Sequence, residues 1–147
     1  MKAMTLWQPW AILLVCGEKK YETRTWATSY RGPLAIHAAK IFPKEELELC
    51  YIEPFKSSLS NIGIANPLTE LTRGAVIGIA ELIDCIIITE TFIQSLQGTK
   101  EYSFGDFEVG KYAWVLADVR RMEPIPANGR QRLWNWDNTI NQKILLV

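Results

Sequence analysis

The chain has 147 residues and carries 16 lysines and arginines against 16 aspartates and glutamates, so its formal net charge is zero. That length fits one domain, whose folding buries about two-thirds of the surface the unfolded chain exposes. Charge balance excludes general attraction to a polyanion as the main source of nucleic-acid affinity, and any such partner would have to be held locally.

The opening stretch MKAMTLWQPWAILLVCGEKK pairs one early lysine with a short apolar run, but its tryptophans, proline and acidic follow-on make a poor secretory signal. Pro9 suits the first turn of a helix, where its missing N–H costs nothing, and Gly17 suits the position just past the end. A short apolar helix is therefore predicted over 9–16 and a turn over 17–22. GPLAIHAA, Gly32 to Ala39, reads as a buried strand opened by a Gly-Pro turn. PKEELELCY, 43–51, reads as a second helix with Pro43 near its start. Residues 53–73 lack a firm period and are expected to form a loop with a short helical turn. GAVIGIAELIDCIIIT, 74–89, is rich in β-branched residues and predicts a long strand, with Gly74 and Gly78 marking a bend or bulge. A loop with a short helix follows to about residue 110, and KYAWVLADVRRME, 111–123, predicts another strand. Asn128-Gly129 predicts a tight turn before aromatic anchors at Trp134 and Trp136. Several strands with little helix between them point to an α+β fold, a small curved sheet or barrel with helices at its ends.

Cys16, Cys50 and Cys85 lie far apart with no CxxC spacing, and no apolar stretch approaches the roughly 20 residues that span a membrane. A soluble, cytoplasmic protein in a reducing compartment is expected. No His, Cys or Asp cluster has metal-ligand spacing, and no phosphate-binding glycine loop appears, so neither a metal nor a cofactor is expected.

The chemistry concentrates after Gly17. In an extended chain Glu22 and Arg24 share one side and Thr23 faces the other, while Lys19 lies one turn earlier and can fold back toward them. Together they would offer a compact cation, a carboxylate to accept from an amine, and a planar fork for phosphate. A solvated surface cluster of weak ion pairs is the alternative. Glu81 stands in the middle of an apolar strand. It either points outward from a half-exposed sheet or is buried against a counter-ion, for which Lys19 or Arg24 is the natural choice. His37, the lone histidine, reads as a packed and hydrogen-bonded core residue rather than a catalyst. Arg120, Arg121, Arg130 and Arg132 interleave with Trp134 and Trp136, a composition suited to a phosphate backbone and a stacked base; the alternative is a solvated turn with tryptophans closing the core.

Four blocks in order, LWQPWAILLVCGEKKYETRTW at 6–26, YRGPLAIHAAK at 30–40, GAVIGIAEL at 74–82 and GKYAWVLADVRRMEPIPANGRQRLW at 110–134, resemble the signature of the ASCH domain family, the activating-signal-cointegrator homology domains of the PUA-like superfamily. The resemblance implies a single ASCH domain over 1–147, a small PUA-like β-barrel with peripheral helices, and a cleft where Lys19, Glu22 and Arg24 meet Glu81. PUA-like domains typically bind RNA. The first expectation is therefore a module that binds RNA or a modified nucleotide through Lys19, Glu22, Arg24 and Glu81, with Trp26, Trp7 or Trp10 as a stacking wall.

Some ASCH-like proteins are amidohydrolases that deacetylate N4-acetylcytidine, using a lysine, a threonine three residues later and a strand glutamate. These positions fall on Lys19, Glu22 and Glu81. Glutamate at the threonine position has no hydroxyl to carry an acyl group, and Thr23 and Thr25 point the wrong way or lie off the spacing. A hydrolase here, including a ribonuclease of the kind also described among ASCH-like proteins, would use Lys19, Glu22 and Glu81 in acid-base and oxyanion roles. A protein-interaction module using the aromatic C-terminal surface is a third reading.

Overall fold

The computed structural model describes residues 1–137. Those residues include six strands: β1 (Lys2–Leu6), β2 (Tyr21–Arg24), β3 (Gly32–Ala38), β4 (Ala75–Ile87), β5 (Tyr112–Pro126) and β6 (Trp134–Asn135). They form one sheet in the order β2-β5-β4-β3-β1-β6. β1 lies parallel to β3, with Met4 opposite Ile36, and the other ladders are antiparallel. Between the strands run short helices: α1 (Trp10–Val15), α2 (Lys44–Leu49), α3 (Phe55–Asn61), α4 (Pro67–Glu70), α5 (Glu90–Leu96) and α6 (Lys100–Phe104). None is long and apolar enough to cross a membrane among the described residues.

The sequence explains where α1 begins and ends. Buried Gln8 accepts from Ile12 N through its side-chain oxygen at 3.0 Å and donates to Thr72 O at 2.8 Å, so it caps the helix and ties it to the segment before β4. Gly17 adopts φ +80, which turns the chain back under the helix end. Both α1 and the sheet are nearly solid hydrocarbon where they meet. Met4, Leu6, Leu34, Ile36, Ala80, Leu82, Trp114 and Leu116 face Leu13 and Leu14, and fully burying each larger side chain stabilises the fold by about 1.5–3 kcal/mol. Gly78 lets the helix sit flush on β4, because a Cβ there would stand 2.6 Å from Val15 Cγ1 and 2.7 Å from Arg120 O. The β4–β5 register shifts between Val76 and Gly78, as the glycine pattern predicts. On the other side of the sheet Ala3, Ala35 and Val76 are covered by Trp134 and Trp136.

The expected closed barrel is corrected. The sheet is mixed and curved but open, because no ladder joins β2 to β1 or β6 among the described residues. The outward polar groups at the start of β2 already have side-chain partners. Glu101 accepts from Lys20 N at 2.8 Å and Tyr21 N at 3.3 Å, and Lys19 Nζ donates to Tyr21 O. Two-residue β6 takes part of the β1 edge. Arg24 bridges the remaining opening by donating from Nη2 to Thr5 O at 3.2 Å.

Several element boundaries also differ from expectation. The turn predicted over 17–22 is shorter, since Tyr21 already pairs with Val115. The loop expected over 53–73 holds α3 and α4, and the segment before residue 110 holds two helices rather than one. β1 was not predicted. The expected domain runs to residue 147, and 138–147 lie outside the described residues.

Candidate functional site

The turn after α1 fixes Lys19. Glu18 N and Lys19 N both donate to Leu13 O, at 2.8 and 3.1 Å, so the chain is drawn beneath the last helical turn. The Lys19 side chain is wholly buried, with no exposed surface. This overturns the solvated-surface alternative for that residue, because a buried ammonium needs partners. It has them in Tyr21 O and in Glu22 Oε1, 3.5 Å away. Glu22 Oε2 in turn pairs with Arg24 Nη2 at 3.1 Å. Pairing with β5 sets this arrangement: Glu22 lies opposite Trp114 and Arg24 opposite Tyr112, so both project to the α1 side of the sheet. Tyr21 packs instead with Phe92 and Phe107 on the other side, at ring-centroid distances of 5.4 and 6.3 Å. Thr23 Oγ1 accepts from Asp106 N at 3.1 Å, so the predicted split between Glu22/Arg24 and Thr23 holds. Arg24 Nε is buried without a hydrogen-bond partner among the described residues.

Glu81 is not part of that cluster. It lies between Ala80 and Leu82, both buried in the α1-side core, so strand alternation sends its carboxylate to the opposite face. Its register partners are Pro33 and Ala117. No ion pair joins it to Lys19 or Arg24 among the described residues. Its electrostatic neighbour is Tyr30, whose hydroxyl donates to Pro33 O at 2.6 Å; burial first, and the Glu81 charge second, hold that phenol above its ordinary pKa. The sheet thus brings together three of the four charged residues expected in the cleft and separates the fourth.

Trp26 is half-buried and engaged with protein. It meets Trp114 edge-on at 4.8 Å and carries the Arg132 guanidinium 4.9 Å from its centroid. Trp134 and Trp136 are buried and close the smaller core, as in the core-filling alternative. The C-terminal arginines divide. Arg132 covers Trp26, Arg121 Nη1 lies 4.0 Å from Cys16 Sγ, and Arg130 lines a cavity.

The most exposed tryptophan among the described residues is Trp7, 45 % exposed, just past β1 at the mouth of the opening between β1 and β2. Two cavities flank it. The smaller, about 320 Å³, is lined by Trp7, Trp10, Glu22, Thr23 and the 103–106 segment. The larger, about 750 Å³, is lined by Trp7, Thr5, His37, Lys40, Arg73 and the 126–131 segment with Arg130. Sequence reasoning missed Trp7 as the shared wall and missed Lys40 and Arg73 altogether. The available signal was positional: each cation sits at the end of a predicted strand, where loops converge.

His37 forms part of the larger cavity's floor and its hydrogen-bond roles can be assigned. Nε2 is 2.7 Å from Ala127 O, which can only accept, so Nε2 carries the proton. Nδ1 then accepts from Thr5 Oγ1 at 3.2 Å, and Thr5 accepts from Trp134 Nε1 at 3.2 Å. Burial lowers the His37 pKa against the opposing pull of Ala127 O, so the neutral ring is favoured. Among the described residues no group of three His, Cys, Asp or Glu side chains could hold a metal ion.

Comparison with known proteins identifies the lineage. The ASCH domain profile matches residues 4–126. The chain belongs to the ASCH domain family. Activating signal cointegrator 1 of Mus musculus and of Homo sapiens are each 27% identical to it over 140 residues, which is 95% of this chain but 23% of theirs. The chain therefore spans about a quarter of the length of these curated relatives. Among solved structures, the ASCH protein of Zymomonas mobilis superposes with a TM-score of 0.59 at 18% identity, covering 99% of this chain and 94% of that one. A tyrosine-to-phenylalanine variant of that protein gives a TM-score of 0.52 at 16% identity, over 99% and 96%. These structural likenesses establish the ASCH fold for the chain.

Proposed function

We propose that this ASCH domain binds RNA, or a modified nucleotide within it, in the smaller cavity beside Trp7. The observation that carries the reading is the setting of Glu22. Its side chain is 14 % exposed, its carboxylate is paired with Lys19 and Arg24, and it lines the cavity together with Trp7 and Trp10. A carboxylate paired with two cations is an acceptor held in place, so it suits the exocyclic amine or amide of a base stacked on tryptophan. Lys19 and Arg24 are then positioning residues, and Trp26 acts through its packing on Trp114 rather than as a stacking wall. Three free thiols, Cys16, Cys50 and Cys85, suit a reducing compartment such as the cytoplasm.

Hydrolysis is the second reading, because buried Lys19 stands 3.5 Å from a carboxylate at the cavity edge. With Glu81 across the sheet, Glu22 is the group able to act as general base on water, and Glu81 has no role in that step. One experiment addresses both. A short RNA with a single N4-acetylcytidine is titrated against the protein by fluorescence anisotropy and weighed by mass spectrometry after incubation. Binding that weakens at least about tenfold in Glu22→Gln, with unchanged RNA mass, supports the binding module. Unchanged affinity in that variant refutes it, and loss of an acetyl mass or of chain length establishes the hydrolase.

A further inference from the structure

The larger cavity holds a cluster of charge that the reading above does not use. Lys40 follows β3, Arg73 precedes β4 and Arg130 follows β5, so three separate connections bring three cations to one hollow of about 750 Å³. Among the described residues no carboxylate lines it, and none of the three has a carboxylate within 4 Å. In a chain with as many acids as bases this segregation is local and specific. Like charges that converge without a counter-ion repel one another and raise the concentration of anions in the hollow.

The walls are fixed in advance. Ala127 N donates to Gly74 O at 3.1 Å and Gly74 N to Ala38 O at 2.8 Å, while His37 Nε2 donates to Ala127 O. Gly129 lies directly against the floor: a Cβ there would come within 2.6 Å of His37 Cε1 and 2.7 Å of Thr5 Oγ1. The three loops are thus stitched together while their cations stay exposed. Trp7 is the partition between this hollow and the Glu22 cavity. A cationic groove adjoining an exposed aromatic face is the arrangement that holds a single strand, backbone on the charges and base on the ring.

We infer that the hollow formed by Lys40, Arg73 and Arg130 is the phosphate-backbone subsite for a single-stranded RNA whose base is read beside Trp7. The inference rests on the RNA reading of the Glu22 cavity and adds where the strand continues. These contacts carry no sequence information; they set affinity and its salt dependence.

The test is a salt titration of binding to a 5′-fluorescein oligocytidylate of about eight nucleotides, followed by anisotropy. Three single-strand phosphate contacts contribute roughly 2 to the slope of log K against log salt. In Lys40→Gln/Arg73→Gln/Arg130→Gln that slope falls by roughly 2 and affinity at low salt drops about tenfold or more. An exposed control pair, Lys44→Gln/Lys56→Gln, leaves both unchanged. Arg130→Glu alone, which touches a single exposed side chain, reproduces the direction if the triple variant loses stability. A triple variant that matches wild type in slope and affinity while Glu22→Gln still weakens binding overturns this subsite and leaves the base-reading cavity. Loss in the triple variant with no effect of Glu22→Gln supports the subsite and overturns the base reading. Displacement of the RNA by poly-L-glutamate of equal charge, as effective as by unlabelled RNA, overturns the assignment to an RNA backbone, and failure of the wild-type protein to bind the oligomer overturns both.

Discussion

The two cavities beside Trp7 hold cations in opposite circumstances. On the Glu22 side, Lys19 and Arg24 are paired with the carboxylate and with backbone oxygens, and Lys19 is wholly buried. On the other side, Lys40, Arg73 and Arg130 are exposed, with no carboxylate within 4 Å among the described residues and the Arg73 guanidinium 5.9 Å from the Phe42 ring centroid. Charges that satisfy one another inside a fold hold a structure in place, whereas charges that converge unsatisfied at its surface are available to a ligand. The same residue type, lysine, therefore does two different jobs about one tryptophan, and burial and pairing rather than identity distinguish them.

The sharpest way to break this contrast is to remove one lysine from each side. Lys19→Met leaves Tyr21 O without its donor and Glu22 with one partner fewer, and is expected to cost about 3 kcal/mol. Lys40→Met, at an exposed position, is expected to stay within about 0.5 kcal/mol. Urea denaturation of the two variants decides the matter, and equal costs would erase the distinction between scaffold and ligand-facing cations.

A second variant probes whether the cationic hollow is as rigid as its hydrogen bonds imply. Gly129→Ala drives a methyl against His37 and Thr5, whose ring and hydroxyl are already tied to Ala127 and Trp134. A loss of about 1–3 kcal/mol is expected, with weaker RNA binding as the loop lifts. A neutral result in thermal unfolding would mean that the loop yields freely.

The smallest effect is one of pH. His37 has a folded-state pKa below the ordinary value because burial disfavours its charged form. The unfolded chain therefore binds the proton more readily. The His37 contribution is fully present above about pH 6.5 and declines as pH falls from there toward the lowered folded value. Around the ring stand Thr5, Trp134, Ala127 and Gly129, with Lys40 and Arg130 in the same cavity and no carboxylate lining it among the described residues. His37→Gln should flatten the fall in melting temperature between about pH 6.5 and 5.5; an unchanged profile would assign that fall to other groups.

Much of the scaffold was readable because single residues carry it. Pro9 and Gly17 bracket α1, Gly78 marks a register shift, and the β-branched run of β4 admits little but a strand. The face of Glu81 was also written in the alternation of Ala80 and Leu82, since a residue between two core positions of a strand must point away from them. Strand β1 was hidden because five residues beside three aromatic or proline positions give no period, and because its parallel partner β3 lies some thirty residues away, Met4 opposite Ile36. Burial of Lys19 was invisible for a different reason: a lysine among charged neighbours reads as surface until the turn beneath α1 encloses it. The open seam had no local signal at all, since it depends on Glu101 reaching back across eighty residues to Tyr21 N.

That last contact has a meaning for how the protein behaves among its own copies. A terminal strand with free amides and carbonyls is a template on which another chain can lay a strand, the first step toward aggregation or domain exchange. At Tyr21 both outward groups are already occupied, the amide by Glu101 and the carbonyl by Lys19. The pair acts as a built-in stopper on the sheet, so that the margin beside the Glu22 cavity stays closed to a neighbour's backbone.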